Sequence, residues 1–272
     1  MQFHTLSLAA VLPETAHAVR LRIAIPAALR GAFVFQAGQF LTLRASIEGS
    51  DLRRSYSICS TPAQLAADGT IDVGIKRVAG GVFSSWAQGL KAGDTLLVLP
   101  PDGRFTLPKN SKRTLLIAAG SGITPILSIL AHTLATDPAH TFTLLYGNRN
   151  SQSTLFLEDI YALKNRYPTR LDLHAVMSRQ TSDIALHNGR LDAAKLMAFM
   201  SGPLAGLHFE YALVCGPNDL IDVCEGVFPG KSVGKVLSER FGTPTFEPQG
   251  VTLGGDGTPE FEPLAEIGRA HV

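Results

Sequence analysis

Four short stretches combine glycine, hydroxyl, arginine and aromatic residues at spacings that suit a phosphorylated, planar ligand. The first is Arg54-Ser55-Tyr56-Ser57. On an extended strand Arg54 and Tyr56 share a face, about 7 Å apart. A guanidinium beside an aromatic face suits a molecule carrying both an anion and a flat ring. Standing alone, the same pair could be an exposed arginine and a tyrosine capping a barrel. The second is Gly80-Gly81-Val82-Phe83-Ser84, where glycines, a helix start and a hydroxyl converge on a place for an anion. In the plainer alternative Ser84 only caps that helix. Phe83 and Trp86 read as core.

The third stretch, Gly120-Ser121-Gly122-Ile123-Thr124-Pro125, follows an apolar run and opens a helical one. Glycines there let a phosphate approach the backbone, the freed N–H groups donate to it, and the helix dipole favours its charge. Pro125 suits a first helical turn, where its missing N–H has no partner to lose. Proline stands where a Gly-x-Gly-x-x-Gly pattern has its third glycine, so the match to that fingerprint is partial. The fourth, Cys215-Gly216-Pro217, ends another apolar run.

Two kinds of element must position these residues. Residues 1–110 read as short strands with turn punctuation. Val19–Ile23, Phe40–Arg44 and Ile71–Lys76 alternate at least in part, and Asp68-Gly69 and Pro101-Asp102-Gly103 supply turns. A small antiparallel barrel with one short helix, Phe83–Leu90, is expected. Residues 111–242 change rhythm. Apolar strands (Leu115–Ala119, Thr141–Tyr146, Leu171–Val176, Tyr211–Cys215) alternate with helices (Thr124–Ala135, Thr154–Tyr167, Asp192–Met200, Asn218–Val227). That alternation implies βαβ units and a doubly wound parallel sheet, whose ligands sit beyond the carboxyl ends of the strands. Three such ends carry Gly120–Thr124, Gly147–Arg149 and Cys215–Pro217, which points to a nucleotide site.

Bulk properties exclude several classes. The chain has 272 residues, 45% of them hydrophobic and 17% charged, with 24 Lys+Arg against 23 Asp+Glu. Two domains fit that length. A net charge of +1 argues against a whole-surface binder of nucleic acid or acidic membrane. Cys59, Cys215 and Cys224 lack metal-site spacing and cannot form a disulfide framework, so no metal and a reducing cytoplasm are expected. Thr114–Thr136 has no charged residue, but its two glycines and a proline break it as a membrane span. Leu6–Leu12 is apolar before Ala16-His17-Ala18, yet no Lys or Arg precedes it, so it is not read as a secretion signal. Cys59 and Cys224 read as buried packing residues, His174 as structural, and Asp94 as a turn acceptor.

In order and spacing, these four motifs closely resemble those of the ferredoxin–NADP reductase superfamily. Within it, Gly80–Trp86, Tyr146-Gly147-Asn148-Arg149, Ser178-Arg179 and Glu239-Arg240-Phe241 resemble the reductase components of bacterial multicomponent oxygenases, especially the phenylacetyl-CoA epoxidase subgroup. The resemblance implies an antiparallel Greek-key barrel for FAD followed by an NADP-binding parallel-sheet domain. By that resemblance Arg54 binds the FAD pyrophosphate, Tyr56 packs on the flavin ring, and Ser57 approaches its N5, although strand alternation points Ser57 away from Tyr56. The amides of Val82 and Phe83 with the Ser84 hydroxyl hold the same pyrophosphate, at the turn that Gly81 contributes to the cofactor site. Gly120, Gly122 and Thr124 hold the nicotinamide dinucleotide's phosphates. Cys215, with Gly216 and Pro217, lies beside the nicotinamide, and Glu239 and Phe241 close over the flavin. Tyr56, Ser57, Cys215 and Glu239 are thus the residues expected at the reacting atoms.

Arg149, Ser178 and Arg179 stand at or just after strand ends, and no acid lies in Tyr146–Asn150 or Val176–Gln180. A 2′-phosphate wants guanidinium and hydroxyl donors, whereas an unphosphorylated ribose wants a carboxylate. NADPH is therefore expected over NADH. Residues 243–272 read as a linker, with nine Gly or Pro, followed at Gly250–Phe261 by what resembles the opening hairpin of a plant-type ferredoxin domain. The chain carries no cluster cysteines after that point, so a [2Fe–2S] group is expected only in a missing continuation. Residues 266–272 back-translate into a string resembling a sequencing-library adapter and are expected to be artefactual.

The leading expectation is an NADPH-dependent flavoprotein passing electrons through FAD and an iron–sulfur domain to an oxygenase component of aromatic catabolism. A stand-alone ferredoxin or flavodoxin reductase is the first alternative. A non-catalytic flavin-binding or docking module is the second, distinguished by binding FAD but no nicotinamide nucleotide.

Overall fold

The computed structural model of the chain describes residues 2–109, 111–228 and 232–241. The part of the sequence read as linker, ferredoxin-like hairpin and adapter lies outside the described residues.

Six antiparallel strands build the first half: β1 (His4–Thr15), β2 (Ala18–Ala24), β3 (Phe40–Ile47), β4 (Ser50–Ser57), β5 (Thr70–Lys76) and β6 (Thr95–Val98). Their order is β4-β3-β6-β1-β2-β5, and an antiparallel bridge from Ile58 to Val73 brings the two edges together. The apolar run Leu6–Leu12 forms part of β1, paired with β2 on one side and β6 on the other. Alternation explains the core. Leu21 and Ile23 are fully buried, while Arg20 and Arg22 between and beside them face outward.

Among the described residues two α-helices interrupt this half, not one. The expected helix is α2 (Val82–Trp86), continued by a 3-10 turn over Ala87–Gly89. Before it comes α1 (Pro62–Asp68). Its Thr61 Oγ1 accepts from Gln64 N–H at 3.3 Å, Pro62 opens it, and Gly69 closes it at φ 65°. The sequence carries this cap–proline–glycine pattern, but the segment is short enough to pass as a loop between strands.

The second half is a five-stranded, wholly parallel sheet: β7 (Arg113–Ala119), β8 (Thr141–Asn148), β9 (Leu171–Met177), β10 (Phe209–Gly216) and β11 (Val233–Arg240), ordered β11-β10-β7-β8-β9. Helices α3 (Ile123–Thr136), α4 (Leu157–Arg166), α5 (Ala193–Ser201) and α6 (Asn218–Val227) cover it. Leu116 and Ala118 of β7 join the α3 side, whereas Leu115 and Ile117 join the side of α5 and α6. Burial on both faces gives these strands their unbroken apolar runs.

Two expectations need correction. Edge strand β11 is an addition to the expected elements, because only its first residue is buried and its polar side chains hide the pattern. Helix α4 starts at Leu157 rather than Thr154, since Phe156 adopts φ 54° and ends the preceding turn. The uncharged run around Thr114–Thr136 is β7, a glycine turn and the 14-residue α3. Among the described residues no helix is long and apolar enough to cross a membrane.

The halves are packed together through apolar and polar contacts. Ala18, Ala37, Cys59 and Phe105 of the barrel join the same core as α3 and α4. Ser128 Oγ donates to the Ser60 carbonyl at 2.6 Å. Arg20 reaches Glu14 and Asp159 and lies over the Phe156 ring, 4.8 Å from its centroid. Gly74 of β5 faces the same ring, and a Cβ there would stand 2.7 Å from Phe156 Cζ. All three cysteines are free and buried, and Asp94 accepts from the Lys91 N–H at 2.8 Å as a turn residue should.

Candidate functional site

The sheet order reverses between β7 and β10, whose carboxyl ends carry Gly120 and Gly216. Open α/β sheets bind ligands at such a switch point. A cleft of about 1020 Å³ opens there. From the sheet it takes Gly120, Ser121, Gly147–Arg149, Ser178, Gly189–Leu191 and Gly216–Leu220; from the barrel, His17, Lys76–Gly80 and Ser85; and at its end Phe241. Its charges are Lys76, Arg77, Arg149 and Arg190 against the single carboxylate of Asp219. A volume of that size with four cations fits a dinucleotide better than an apolar ligand.

The glycines of the turn after β7 have different duties. Gly120 adopts φ 54° and opens toward the cleft, and a Cβ there would lie 3.7 Å from Lys76 Nζ. Backbone and ammonium therefore face one space. Burial, with Arg149 nearby, lowers the Lys76 pKa. Gly122 is buried instead, and a Cβ would sit 2.0 Å from the Cys215 carbonyl oxygen. Its lack of a side chain allows the turn to pack against β10, not a phosphate to approach. Thr124 is likewise buried, and its Oγ1 donates to the Ser121 carbonyl at 3.0 Å. These two residues shape the turn from behind.

Arg149 and Ser178 both line the cleft, but Arg179 does not. The Arg179 N–H donates to the Arg149 carbonyl at 2.7 Å, so the backbone pairs the two residues while the second guanidinium stands outside. Arg190 lines the cleft as well. Lys76 and Arg77, before the Gly80-Gly81 turn, and Arg190, just after Gly189, also line the cleft and stand outside the expected set. Lys76 and Arg77 are basic residues at the end of a strand and Arg190 is a basic residue next to a glycine, which is the signal the sequence offers for them.

Ser57, Cys215 and Glu239 come together where the barrel meets the sheet. Ser57 ends β4 and is 4% exposed, and its Oγ donates to Glu239 Oε2 at 3.0 Å. Glu239 on β11 is directly opposite Cys215 on β10 in the parallel register. Burial pushes the Glu239 carboxyl up to about 7, opposed by the bond from Ser57. Burial, with that carboxyl alongside, holds the Cys215 thiol well above its usual range. Cys215 is therefore a neutral thiol near pH 7, not an activated nucleophile.

On the barrel, Tyr56 packs on Phe83 with ring centroids 5.7 Å apart, and Phe83 on Trp86 at 5.3 Å. Arg54 is close enough for its charge to act on the Tyr56 phenol, which burial drives upward. Its Nη1 donates to the Arg53 carbonyl at 2.6 Å. Gly80 adopts φ 74° with nothing within 4 Å of a Cβ position, leaving open space beside the turn. An aromatic face, a guanidinium and an open glycine turn fit a flavin nucleotide. The Ser84 hydroxyl does not join that donor set. It donates to the Gly81 carbonyl at 3.2 Å, accepts from the Val78 N–H at 3.1 Å, and is 7% exposed. It ties the turn together.

A flavin-suited antiparallel barrel, a cationic cleft at the switch point of a parallel sheet, and a buried polar cluster joining them define a two-domain nucleotide-dependent oxidoreductase. Residues 12–107 match the oxidoreductase FAD-binding domain and residues 116–226 the oxidoreductase NAD-binding domain. Over 250 residues, 89% of this chain, it is 41% identical to a subunit of 1,2-phenylacetyl-CoA epoxidase from Escherichia coli, spanning 68% of that protein. It is 37% identical over 220 residues, 80% of this chain, to the ferredoxin reductase component of 3-ketosteroid-9-alpha-monooxygenase from Rhodococcus rhodochrous, spanning 58% of it. A ferredoxin–NADP+ reductase from Neisseria gonorrhoeae superposes with a TM-score of 0.72 at 20% identity, covering 89% of this chain and 100% of that one. The chain belongs to the ferredoxin–NADP reductase family of flavoprotein oxidoreductases.

Proposed function

We propose that the chain is the reductase part of a bacterial oxygenase system of the phenylacetate type, taking electrons from NADPH through FAD to an iron–sulfur acceptor and on to an oxygenase component. One observation carries this reading: the Ser57–Glu239 bond, opposite Cys215, lies between a flavin-suited aromatic face and a cleft bearing four cations and one carboxylate. The 41% identity to a component of an epoxidase supports the oxygenase assignment. Free, buried cysteines support a reducing, cytoplasmic setting.

Bound together, the two cofactors supply the redox chemistry, two electrons entering from the nicotinamide and leaving the flavin singly. The protein's residues position and tune. Tyr56 would give the flavin a rigid aromatic face, Arg54 and the amides of Val82 and Phe83 would hold its pyrophosphate beside the Gly81 turn, and Phe241 would cover the site. Ser57, which now donates to Glu239, would be free to donate to a bound flavin on releasing it, and the Glu239 carboxyl, raised to about 7, could hold a proton beside that site. Cys215 presents a neutral, polarizable sulfur that packs without competing for the flavin. Gly120 and Ser121 with Lys76 hold the dinucleotide phosphates. Arg149, Ser178 and Arg190 take the 2′-phosphate, for which guanidinium forks and a hydroxyl are suited.

The test is reduction of a purified plant-type [2Fe–2S] ferredoxin by the FAD-loaded protein with NADPH or NADH. NADPH-driven reduction with the higher kcat/KM supports the reading. A kcat/KM favouring NADH overturns the cofactor assignment, and flavin reduction without electron delivery to ferredoxin overturns the acceptor assignment.

A further inference from the structure

Alternation along β2 turns Arg20 away from the barrel core, between the buried Val19 and Leu21. An outward arginine is ordinarily solvated, yet this side chain is only 17% exposed, because the start of α4 lies against it. Its Nε donates to Glu14 Oε1 of β1 at 2.6 Å, and an Nη donates to Asp159 in the first turn of α4. Its guanidinium carbon stands 4.8 Å from the centre of the Phe156 ring. One cation thus serves two carboxylates, one from each half of the molecule. Burial raises the Glu14 carboxyl against the pull of Arg20, so the site tolerates two acids only with the guanidinium between them.

The ring beneath Arg20 is held as narrowly. Phe156 is 1% exposed and adopts φ 54°, a left-handed backbone that bulky residues rarely take. The same ring lies against Gly74 of β5, where a Cβ would stand 2.7 Å from Phe156 Cζ and 3.0 Å from Thr124 Cγ2. Strand β5 therefore receives both the start of α4 and the turn after β7, two residues before Lys76 faces Gly120. Those two turns are also tied to each other. The Tyr146 hydroxyl lies 3.2 Å from the Gly120 carbonyl and 3.1 Å from that of Leu155, next to Phe156. A shift of Phe156 on the barrel is therefore a shift of the Gly120 turn against Lys76.

The apolar core shared by the halves resists their separation, but burial is non-directional and leaves their relative angle soft. A guanidinium fork bonded in two directions does not. We propose that Arg20 is a positioning residue for flavin reduction: by joining Glu14 to Asp159 over the Phe156 ring, it sets the angle at which the sheet half, with its nucleotide, meets the flavin site of the barrel. The proposal rests on the NADPH-to-FAD reading above. Arg20 does not line the cleft, so it governs the rate of transfer and not the affinity for nucleotide.

The test compares FAD-loaded full chains of the wild type and Arg20→Leu, which keeps an apolar stem over Phe156 and removes the fork. Flavin bleaching at saturating NADPH, followed by stopped flow, slows about tenfold or more, whereas the calorimetric affinity for 2′,5′-ADP changes by about twofold or less. Nitroxides at Lys91→Cys and Ala194→Cys, exposed positions on the two halves, report the angle without turnover, the native cysteines being buried. Pulsed EPR gives one narrow distance with Arg20 present and a broad distribution in Arg20→Leu. Arg20→Lys, which keeps the charge and reaches one carboxylate at a time, recovers part of both the rate and the narrow distance. If NADPH does not bleach the wild type, the functional reading fails and this proposal with it. If the wild type is bleached but Arg20→Leu matches it in either rate or distance, only the role of Arg20 falls. Equal losses of rate and 2′,5′-ADP affinity also overturn that role, because the sheet half itself is then damaged. Should Arg20→Leu not fold, Asp159→Ala, which leaves Arg20 and Glu14 paired, is read by the same outcomes.

Discussion

Replacing Glu239 with glutamine separates its proton from its shape. The side chain keeps an acceptor for the Ser57 hydroxyl, which now bonds Glu239 Oε2 at 3.0 Å. What disappears is a carboxyl that burial raises from 4.5 to about 7. Between those values the folded protein retains a proton that the unfolded chain has released, so wild-type stability falls as pH rises through the window and stays lower above it. At 1.36 kcal/mol per pH unit the full loss is about 3 kcal/mol, and residual solvent contact reduces it to about 1–3 kcal/mol. For a protein of this size each kcal/mol moves Tm by about 2–4 °C. Thermal unfolding of FAD-loaded wild type and Glu239→Gln from pH 5 to 8.5 is the assay. The two should differ least at pH 5, diverge progressively up to about pH 7 and stay about 3–10 °C apart to pH 8.5, the variant higher. A difference constant across pH, or a wild type favoured at high pH, would refute the reasoning, because the carboxyl would then not be desolvated at the junction.

The remaining expectations concern packing and charge. Gly122→Ala would drive a Cβ to 2.0 Å from the Cys215 carbonyl oxygen, so the sheet domain should lose cooperative unfolding or drop sharply in Tm. Gly74→Ala would meet Phe156 Cζ at 2.7 Å and should cost about 1–3 kcal/mol in urea unfolding, with Phe156→Leu in the same chain restoring part of it. Arg190→Met should raise KM for NADPH about tenfold or more with little effect on NADH, whereas Arg179→Met, outside the cleft, should change neither by more than about twofold. Equal effects of the two arginine variants would count against the cleft geometry. Ser84→Ala strips two backbone partners from the 78–81 turn and should lower stability by about 1 kcal/mol, read from urea unfolding.

Where neighbouring residues in the chain decide structure, the sequence is a good guide. The parallel strands are legible because burial on both faces leaves unbroken apolar runs such as Leu115–Ala119. The site's outline is legible because Gly120, Gly147 and Gly216 sit at strand ends that the βαβ rhythm locates. What escapes depends on contacts across the fold. Nothing local separates Gly120, open to the cleft, from Gly122, packed on Cys215. Nor does spacing reveal that Ser84 spends its hydroxyl on the turn, or that Arg190 rather than Arg179 faces the cleft. Lys76 escapes notice as the polar end of a barrel strand, its partner surface lying in the other half of the molecule. Strand β11 hides behind its own polar edge, though family resemblance singles out Glu239 on it.

Ser57, Cys215 and Glu239 are proposed as the meeting point of the nicotinamide and flavin sites, beside a cleft proposed to take a 2′-phosphorylated dinucleotide. Anaerobic titration of the purified, FAD-loaded protein with NADPH and separately with NADH, following the visible flavin band, tests this proposal most directly. Prompt bleaching by both is expected, reaching half-saturation at a lower concentration of NADPH. A band unchanged by either nucleotide, with FAD still bound, would contradict it.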